Sequence, residues 1–170
     1  GGVYPVASAG DGAGAGDGSG FRRKHGISES DTAICVLPGS RRGEVKRLAG
    51  IFEQAAKSIV ERHPDTVFVF PTVSYLSEYV SGLAERWPGK TVVVGSIAEK
   101  FDAIQACNAA MAASGTVSLE LAMARVPHLI AYRMNGLTVM IVKTLYGMKQ
   151  KYANLVNILL DREVIPEFIQ

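Results

Sequence analysis

From Thr32 onwards, short uninterrupted apolar runs alternate with longer segments that repeat apolar residues at helical spacing. The run 33–37 is typical of a strand buried on both faces, and the apolar positions from Val45 to Val60 follow a helical period. We predict strands at 32–37, 67–71, 91–94, 109–113 and 128–132. We predict helices at 44–62, 74–87, 98–107, 116–125 and 136–147. This alternation predicts an α/β fold, a Rossmann-like open parallel sheet with helices on both faces.

The two ends of the chain differ from this regular middle. Residues 1–20 are rich in glycine and predict a flexible linker, with the ordered domain beginning near Phe21 and covering 21–170. The glycines superficially resemble a nucleotide-binding loop, but no strand precedes them and no apolar helix follows. No terminating element is evident before Gln170. We therefore expect a domain that is incomplete at its C-terminus and belongs to a larger protein.

Composition indicates a soluble globular protein. Of the 170 residues, 48% are hydrophobic and 20% charged, which argues against disorder. A formal net charge of +2 is too small to indicate a nucleic-acid partner. Basic residues cluster at 22–24, at 41–42 and between Lys143 and Lys151, and such clusters are usually solvated faces. No signal peptide or membrane-spanning helix is predicted.

Cysteine and histidine positions do not suggest a metal site. Cys35 lies in an apolar run and Cys107 just before another, so both are predicted to be buried thiols outside any disulfide framework. The three histidines, at positions 25, 63 and 128, lack the spacing of metal ligands. We therefore expect no metal and a reducing compartment. We also expect no cofactor.

The first candidate binding loop follows the first predicted strand. It places Gly39, Ser40, Arg41 and Arg42 between that strand and the next helix. In open α/β sheets, ligands bind beyond the carboxyl ends of the strands. Helix N-termini favour anions, and arginine matches phosphate oxygens as a planar fork. The loop predicts a site for a phosphorylated ligand, and the alternative is an exposed basic loop.

The second candidate loop follows the predicted strand 109–113. Ser114, Gly115 and Thr116 can cap the next helix and approach a ligand closely, and Glu120 lies one turn later. A carboxylate there could accept both hydroxyl hydrogens of a ribose. The alternative is a capped helix with a surface glutamate. Because both loops are expected at one sheet edge, together they favour a nucleotide.

Three long stretches carry a resemblance to a known family. They are LPGSRRGEVKRL at 37–48, AASGTVSLELAMARVPHLIAYRMN at 112–135 and YANLVNILLDREVIPEFIQ at 152–170. They resemble the C-terminal, nucleotide-binding half of lipid-A-disaccharide synthase, a glycosyltransferase with two Rossmann-like domains (GT-B type). Residues 1–20 match poorly. The resemblance implies that this chain is one half of a GT-B glycosyltransferase.

The resemblance implies an inverting hexosyltransferase of lipid A biosynthesis. Its reaction joins UDP-2,3-diacylglucosamine to 2,3-diacylglucosamine 1-phosphate (lipid X) and releases UDP. It implies a cytoplasmic enzyme, peripheral on the inner face of the inner membrane of a Gram-negative bacterium. No metal is implied, since arginine and a helix dipole would balance the charge of the diphosphate. Two alternatives stay open: another GT-B relative, such as a UDP-sugar epimerase, and a non-catalytic nucleotide-binding module.

The resemblance also assigns roles to residues. Those implied to contact the donor diphosphate are Ser40, Arg41, Arg42, Ser114, Gly115 and Thr116. Glu120 is implied to bind the donor ribose. Those implied to line the donor cleft are Tyr132, Arg133, Asn154 and Asn157. The general base and the lipid X site belong to the family's N-terminal half, so we expect no catalytic residue in this chain and no turnover by it alone.

Acylated substrates raise the question of contact with a membrane surface. The segment 136–151 is apolar and carries Lys143, Lys149 and Lys151. It fits either an interfacial amphipathic helix or a core helix. We favour a core helix because apolar residues nearly encircle it.

Overall fold

One parallel sheet organises the chain in a computed structural model, which describes residues 16–113, 117–124, 126–132 and 167–169. The strands are β1 (Thr32–Leu37), β2 (Thr66–Pro71), β3 (Lys90–Val94), β4 (Ala109–Ala112), β5 (His128–Tyr132) and β6 (Glu167–Ile169). The helices are α1 (Gly18–Lys24), α2 (Arg42–Arg62), α3 (Ser77–Ala84), α4 (Ile97–Gln105) and α5 (Val117–Met123), with a 3₁₀ turn at Ser74–Leu76. The strand order is β3-β2-β1-β4-β5-β6, with every neighbouring pair parallel. The predicted α/β fold and its five predicted strands are confirmed.

Apolar side chains cover both faces of the sheet. Along β1, Ala33, Cys35 and Leu37 belong to a core shared with α1, α4 and α5, whereas Ile34 and Val36 belong to a core shared with α2 and α3. Successive side chains of a strand point to opposite faces, so an unbroken apolar run is what a strand between two helical layers needs. Burial of each large apolar side chain contributes about 1.5–3 kcal/mol.

The chain changes direction across the sheet between β1 and β4. From β1 it builds outward through β2 and β3, and it then returns to place β4 on the other side of β1. Leu37 pairs with Ala112 in the register of the two strands, and the Ala113 N–H donates to the Leu37 carbonyl at 2.9 Å. Such a switch point leaves a crevice beyond the carboxyl ends of the two strands.

Two elements were not predicted from the sequence. Helix α1 begins at Gly18, inside the predicted linker, and the Asp17 carboxylate caps it by accepting from the Gly20 N–H at 2.7 Å. A Cβ on Gly18 would lie 2.7 Å from the Gln105 backbone, so glycine lets α1 pack closely on α4. Strand β6 pairs with β5 and has only three residues. Residues 1–15 of the predicted linker and the predicted helix 136–147 lie outside the described residues.

Arg22 is buried, so the expectation that cluster 22–24 is a solvated face is wrong for this residue. Its guanidinium donates hydrogen bonds to several acceptors. Nε donates to the Ala106 carbonyl at 2.8 Å and Nη1 donates to the Ser28 carbonyl at 2.7 Å. Nη2 donates to Asn108 Oδ1 at 3.0 Å, and the same oxygen accepts from the Ala33 N–H at 2.8 Å. Arg22 thereby ties α1 to the starts of β1 and β4.

Candidate functional site

The loop between β1 and α2 is organised by one carboxylate. Gly39 has a φ of +117°, a conformation that favours glycine, and Arg41 is the residue that precedes the first turn of α2. Glu44 Oε2 accepts from the backbone N–H groups of Ser40 at 3.2 Å and Arg41 at 3.3 Å. A carboxylate in the first turn of a helix satisfies free N–H groups and interacts favourably with the helix dipole. Glu44 therefore holds the loop in one shape.

The two arginines of this loop have different surroundings. Arg41 Nη1 lies 3.3 Å from Glu44 Oε1, yet the Arg41 side chain is 81% exposed. The Arg42 guanidinium lies 4.7 Å from the centre of the Tyr79 ring, a cation–π contact with α3. Helix α3 packs against β3, at the opposite side of β1 from β4. Arg41 is thus available to a ligand at the switch point, while Arg42 is engaged elsewhere.

Tyr75, in the connection that follows β2, forms a hydrogen bond with the same loop. The Tyr75 hydroxyl, in the 3₁₀ turn after β2, donates to the Ser40 carbonyl. The Tyr75 ring remains mostly exposed at the carboxyl edge of the sheet. Ser40 is therefore fixed through its N–H by Glu44 and through its carbonyl by Tyr75.

The second predicted loop contributes a paired carboxylate. Glu120 lies in the first turn of α5, and its Oε2 lies 2.5 Å from Nζ of Lys100 in α4. The two side chains are 28% and 30% exposed, respectively. Glu120 is therefore a partly exposed carboxylate that forms an ion pair with Lys100.

Helix α4 makes ion pairs to two different helices through neighbouring residues. While Lys100 pairs with Glu120 of α5, Glu99 pairs with Lys24 of α1. The hydrogen bond from Lys24 lowers the pKa of the Glu99 carboxyl below its usual value. Lys24 and Lys100 therefore each pair with a different carboxylate.

The sheet brings some of the predicted site residues to one edge. Because β1 and β4 are adjacent and parallel, Ser40, Arg41 and Glu120 all follow carboxyl ends that flank the switch point. Tyr132 is the last residue of β5, the next strand along. The remaining predicted site residues lie outside the described part of the chain: Ser114, Gly115, Thr116, Arg133, Asn154 and Asn157.

Three residues at this edge were missed by sequence reasoning. Glu44 stands three positions after Arg41, the spacing of a helix-capping acid, and that signal could have found it. Lys100 and Tyr75 gave no such signal, because each contacts a residue in a different element.

Two kinds of feature do not occur among the described residues. No helix there is long and apolar enough to cross a membrane. The same part of the chain contains no group of three or more His, Cys, Asp or Glu residues that could hold a metal ion.

Comparison with known proteins decides the family. The family model described as lipid-A-disaccharide synthetase matches residues 17–170. The chain belongs to the lipid-A-disaccharide synthetase family. Its match to this family favours the predicted synthase resemblance over the epimerase alternative.

Curated relatives carry the same family name. A lipid-A-disaccharide synthase from Rhodospirillum centenum is 44% identical over 167 residues, which cover 98% of this chain and 41% of that protein. One from Paramagnetospirillum magneticum is 42% identical over 154 residues, covering 91% of this chain and 39% of that protein. A probable mitochondrial lipid-A-disaccharide synthase from Arabidopsis thaliana is 39% identical, covering 85% of this chain and 32% of that protein. The chain thus spans about two fifths of the length of the two bacterial relatives.

A solved structure supports the fold. The glycosyl transferase family 9 protein from Veillonella parvula superposes with a TM-score of 0.52 at 17% identity. The superposition covers 79% of this chain and 44% of that one. The predicted likeness to one half of a GT-B glycosyltransferase agrees with this neighbour.

Proposed function

We propose that this chain is the UDP-binding part of a lipid-A-disaccharide synthase. The whole enzyme would transfer 2,3-diacylglucosamine from its UDP derivative to lipid X and release UDP. The observation that carries the proposal is the placement of Arg41 and Glu120 beyond the carboxyl ends of two adjacent parallel strands at the switch point. A cation and a carboxylate there suit the two polar parts of UDP, the diphosphate and the ribose.

The basic loop would take the diphosphate. Arg41 is largely exposed and stands at the start of α2, so its guanidinium can reach phosphate oxygens while Ser40 offers its hydroxyl. Negative charge grows on the diphosphate as the glycosidic bond to the donor breaks, and a positioned guanidinium stabilises that charge. Ser114, Gly115 and Thr116 would add hydrogen-bond donors. We assign Arg42 a smaller share because it is held by Tyr79.

Glu120 would accept hydrogen bonds from the ribose hydroxyls. It lies in the helix after β4, and β4 is adjacent to β1, the strand that precedes the basic loop. Its side chain is partly exposed. Tyr132, Arg133, Asn154 and Asn157 would line the rest of the donor cleft.

We assign acceptor binding and deprotonation to the remaining part of the enzyme. A glycosyl transfer to a hydroxyl needs a general base within hydrogen-bond reach of it, and binding energy for UDP does not supply one. The same part would bind lipid X. A peripheral position on the inner face of the inner membrane suits the acylated substrates and belongs to this proposal.

Titration calorimetry of the 170-residue chain with UDP and with uridine tests the proposal. We expect measurable binding of UDP and at least tenfold weaker binding of uridine, since hydrogen bonds to charged groups contribute about 1.5–3 kcal/mol. Absence of UDP binding at millimolar concentration would overturn the proposal. Equal affinity for UDP and uridine would show that the diphosphate does not contribute to binding.

A further inference from the structure

Among the lysines that the structure describes, Lys100 stands out because its ion pair is shielded and joins two helices. The Lys100 and Glu120 side chains are 30% and 28% exposed, respectively, and Nζ lies 2.5 Å from Oε2. Lys57 offers a contrast: it pairs with Glu53 at 2.9 Å within α2, and its side chain is 59% exposed. A lysine–glutamate pair one helical turn apart is a common surface feature, whereas the Lys100–Glu120 pair joins residues of two different helices.

The pair divides the two oxygens of Glu120 between different environments. Oε2 is shielded from solvent and faces the Lys100 ammonium. The exposed fraction of the Glu120 side chain therefore comes from its other atoms. A long glutamate side chain has several rotamers, and an ion pair on one oxygen removes most of them. The carboxylate is thereby oriented before any ligand arrives.

We infer that Lys100 is a positioning residue for donor recognition: by holding Oε2 it directs the remaining carboxylate oxygen of Glu120 toward the ribose hydroxyls. This inference rests on the proposed function of Glu120. Lys100 lies in the first half of α4, which follows the carboxyl end of β3, so its ammonium reaches Glu120 from the edge of the sheet that carries the site. Lys100 acts through Glu120 and needs no contact with the nucleotide.

The test is a double-mutant cycle of Lys100→Met and Glu120→Gln, read as the affinity of the chain for UDP and for 2′-deoxy-UDP. We expect Lys100→Met to weaken UDP binding about three- to tenfold, the effect of losing one pre-ordered side chain. It should also reduce the preference for UDP over 2′-deoxy-UDP. Added to Glu120→Gln, the same change should have no further effect, since the group that it positions is already altered.

Two further variants separate positioning from damage to the fold. Lys100→Arg keeps the cation and should restore the preference for UDP. Lys57→Met removes the matched surface pair and should leave both affinities unchanged. Circular dichroism and the thermal midpoint identify folded variants.

Three outcomes would contradict the inference or its basis. A folded Lys100→Met variant with wild-type affinity and preference overturns the inference alone. Additive losses in the cycle also overturn it, because Lys100 would then act independently of Glu120. Failure of the unmodified chain to bind UDP overturns the proposed function, and the role of Lys100 with it.

Discussion

Glu44 packs against Gly39 so closely that a Cβ on residue 39 would lie 2.5 Å from Glu44 Oε2 and 2.8 Å from Glu44 Cβ. The glycine has a φ of +117°, and the carboxylate beside it accepts from the N–H groups of Ser40 and Arg41. The loop therefore depends on two features at once, the missing side chain at 39 and the acid at 44. Both features help to position Arg41.

Replacing Gly39 with alanine should destabilise the protein by about 1–3 kcal/mol, because the backbone would be strained and the new Cβ would displace Glu44. Chemical denaturation with urea measures the change in the free energy of unfolding. Gly43→Ala is the matched control: it lies in α2 with nothing within 4 Å of the added Cβ. That change should be neutral or stabilising by up to about 1 kcal/mol. Equal effects of the two substitutions would refute the role of Gly39.

Arg41→Ala should weaken UDP binding by about 1–3 kcal/mol, the cost of losing hydrogen bonds to a charged group. Arg42→Ala should weaken it less, because that guanidinium already lies over Tyr79. Calorimetry on both folded variants compares them directly. A larger loss for Arg42→Ala would assign the diphosphate to Arg42 and contradict the present assignment.

The fold could be predicted from the sequence because its strands lie between two helical layers. A run such as 33–37 must be apolar on both faces, and that pattern is visible without knowledge of any partner. The same alternation placed Arg41 and Glu120 after strands whose carboxyl ends meet at one edge of the sheet. The residue types of the two loops predicted a nucleotide site, and their likeness to a known family predicted the individual roles.

The partners of individual side chains could not be predicted in this way. Helical periodicity shows which face of α4 is buried, but not that Lys100 meets Glu120 of α5. The sequence places Arg22 directly before two other basic residues. Its burial depends on acceptors that two separate segments supply, one at Ser28 and one at Ala106 and Asn108. Strand β6 is too short to show a pattern.

Arg22→Met should destabilise the protein by about 2–4 kcal/mol, because it removes the donor to the Ala106 carbonyl and one of the two donors to the Ser28 carbonyl. Arg23→Met is the control at the next position: Arg23 is exposed, and its loss should change the free energy of unfolding by no more than about 0.5 kcal/mol. Urea denaturation of both variants measures the two changes in the free energy of unfolding. Similar values would mean that the Arg22 network adds nothing to stability.

The stability of the protein should decline at alkaline pH because of the buried Cys35 thiol. Burial raises the pKa of the Cys35 thiol well above the ordinary value of 9.0, and its hydrogen bond with Cys107 raises it further. The folded chain therefore keeps a proton that the unfolded chain loses near pH 9, so this contribution is complete below that pH and declines above it. The decline should be about 1.4 kcal/mol per pH unit until the folded thiol also ionises.

The measurement is the free energy of unfolding between pH 7 and 10.5 for the wild-type chain and for Cys35→Ala. Other groups that titrate in this range, such as lysines, cancel in the difference between the two curves. The wild-type curve should fall more steeply above pH 9 by the slope of one proton. Parallel curves would show that the thiol ionises equally in both states, and the inferred effect of burial on Cys35 would then be wrong.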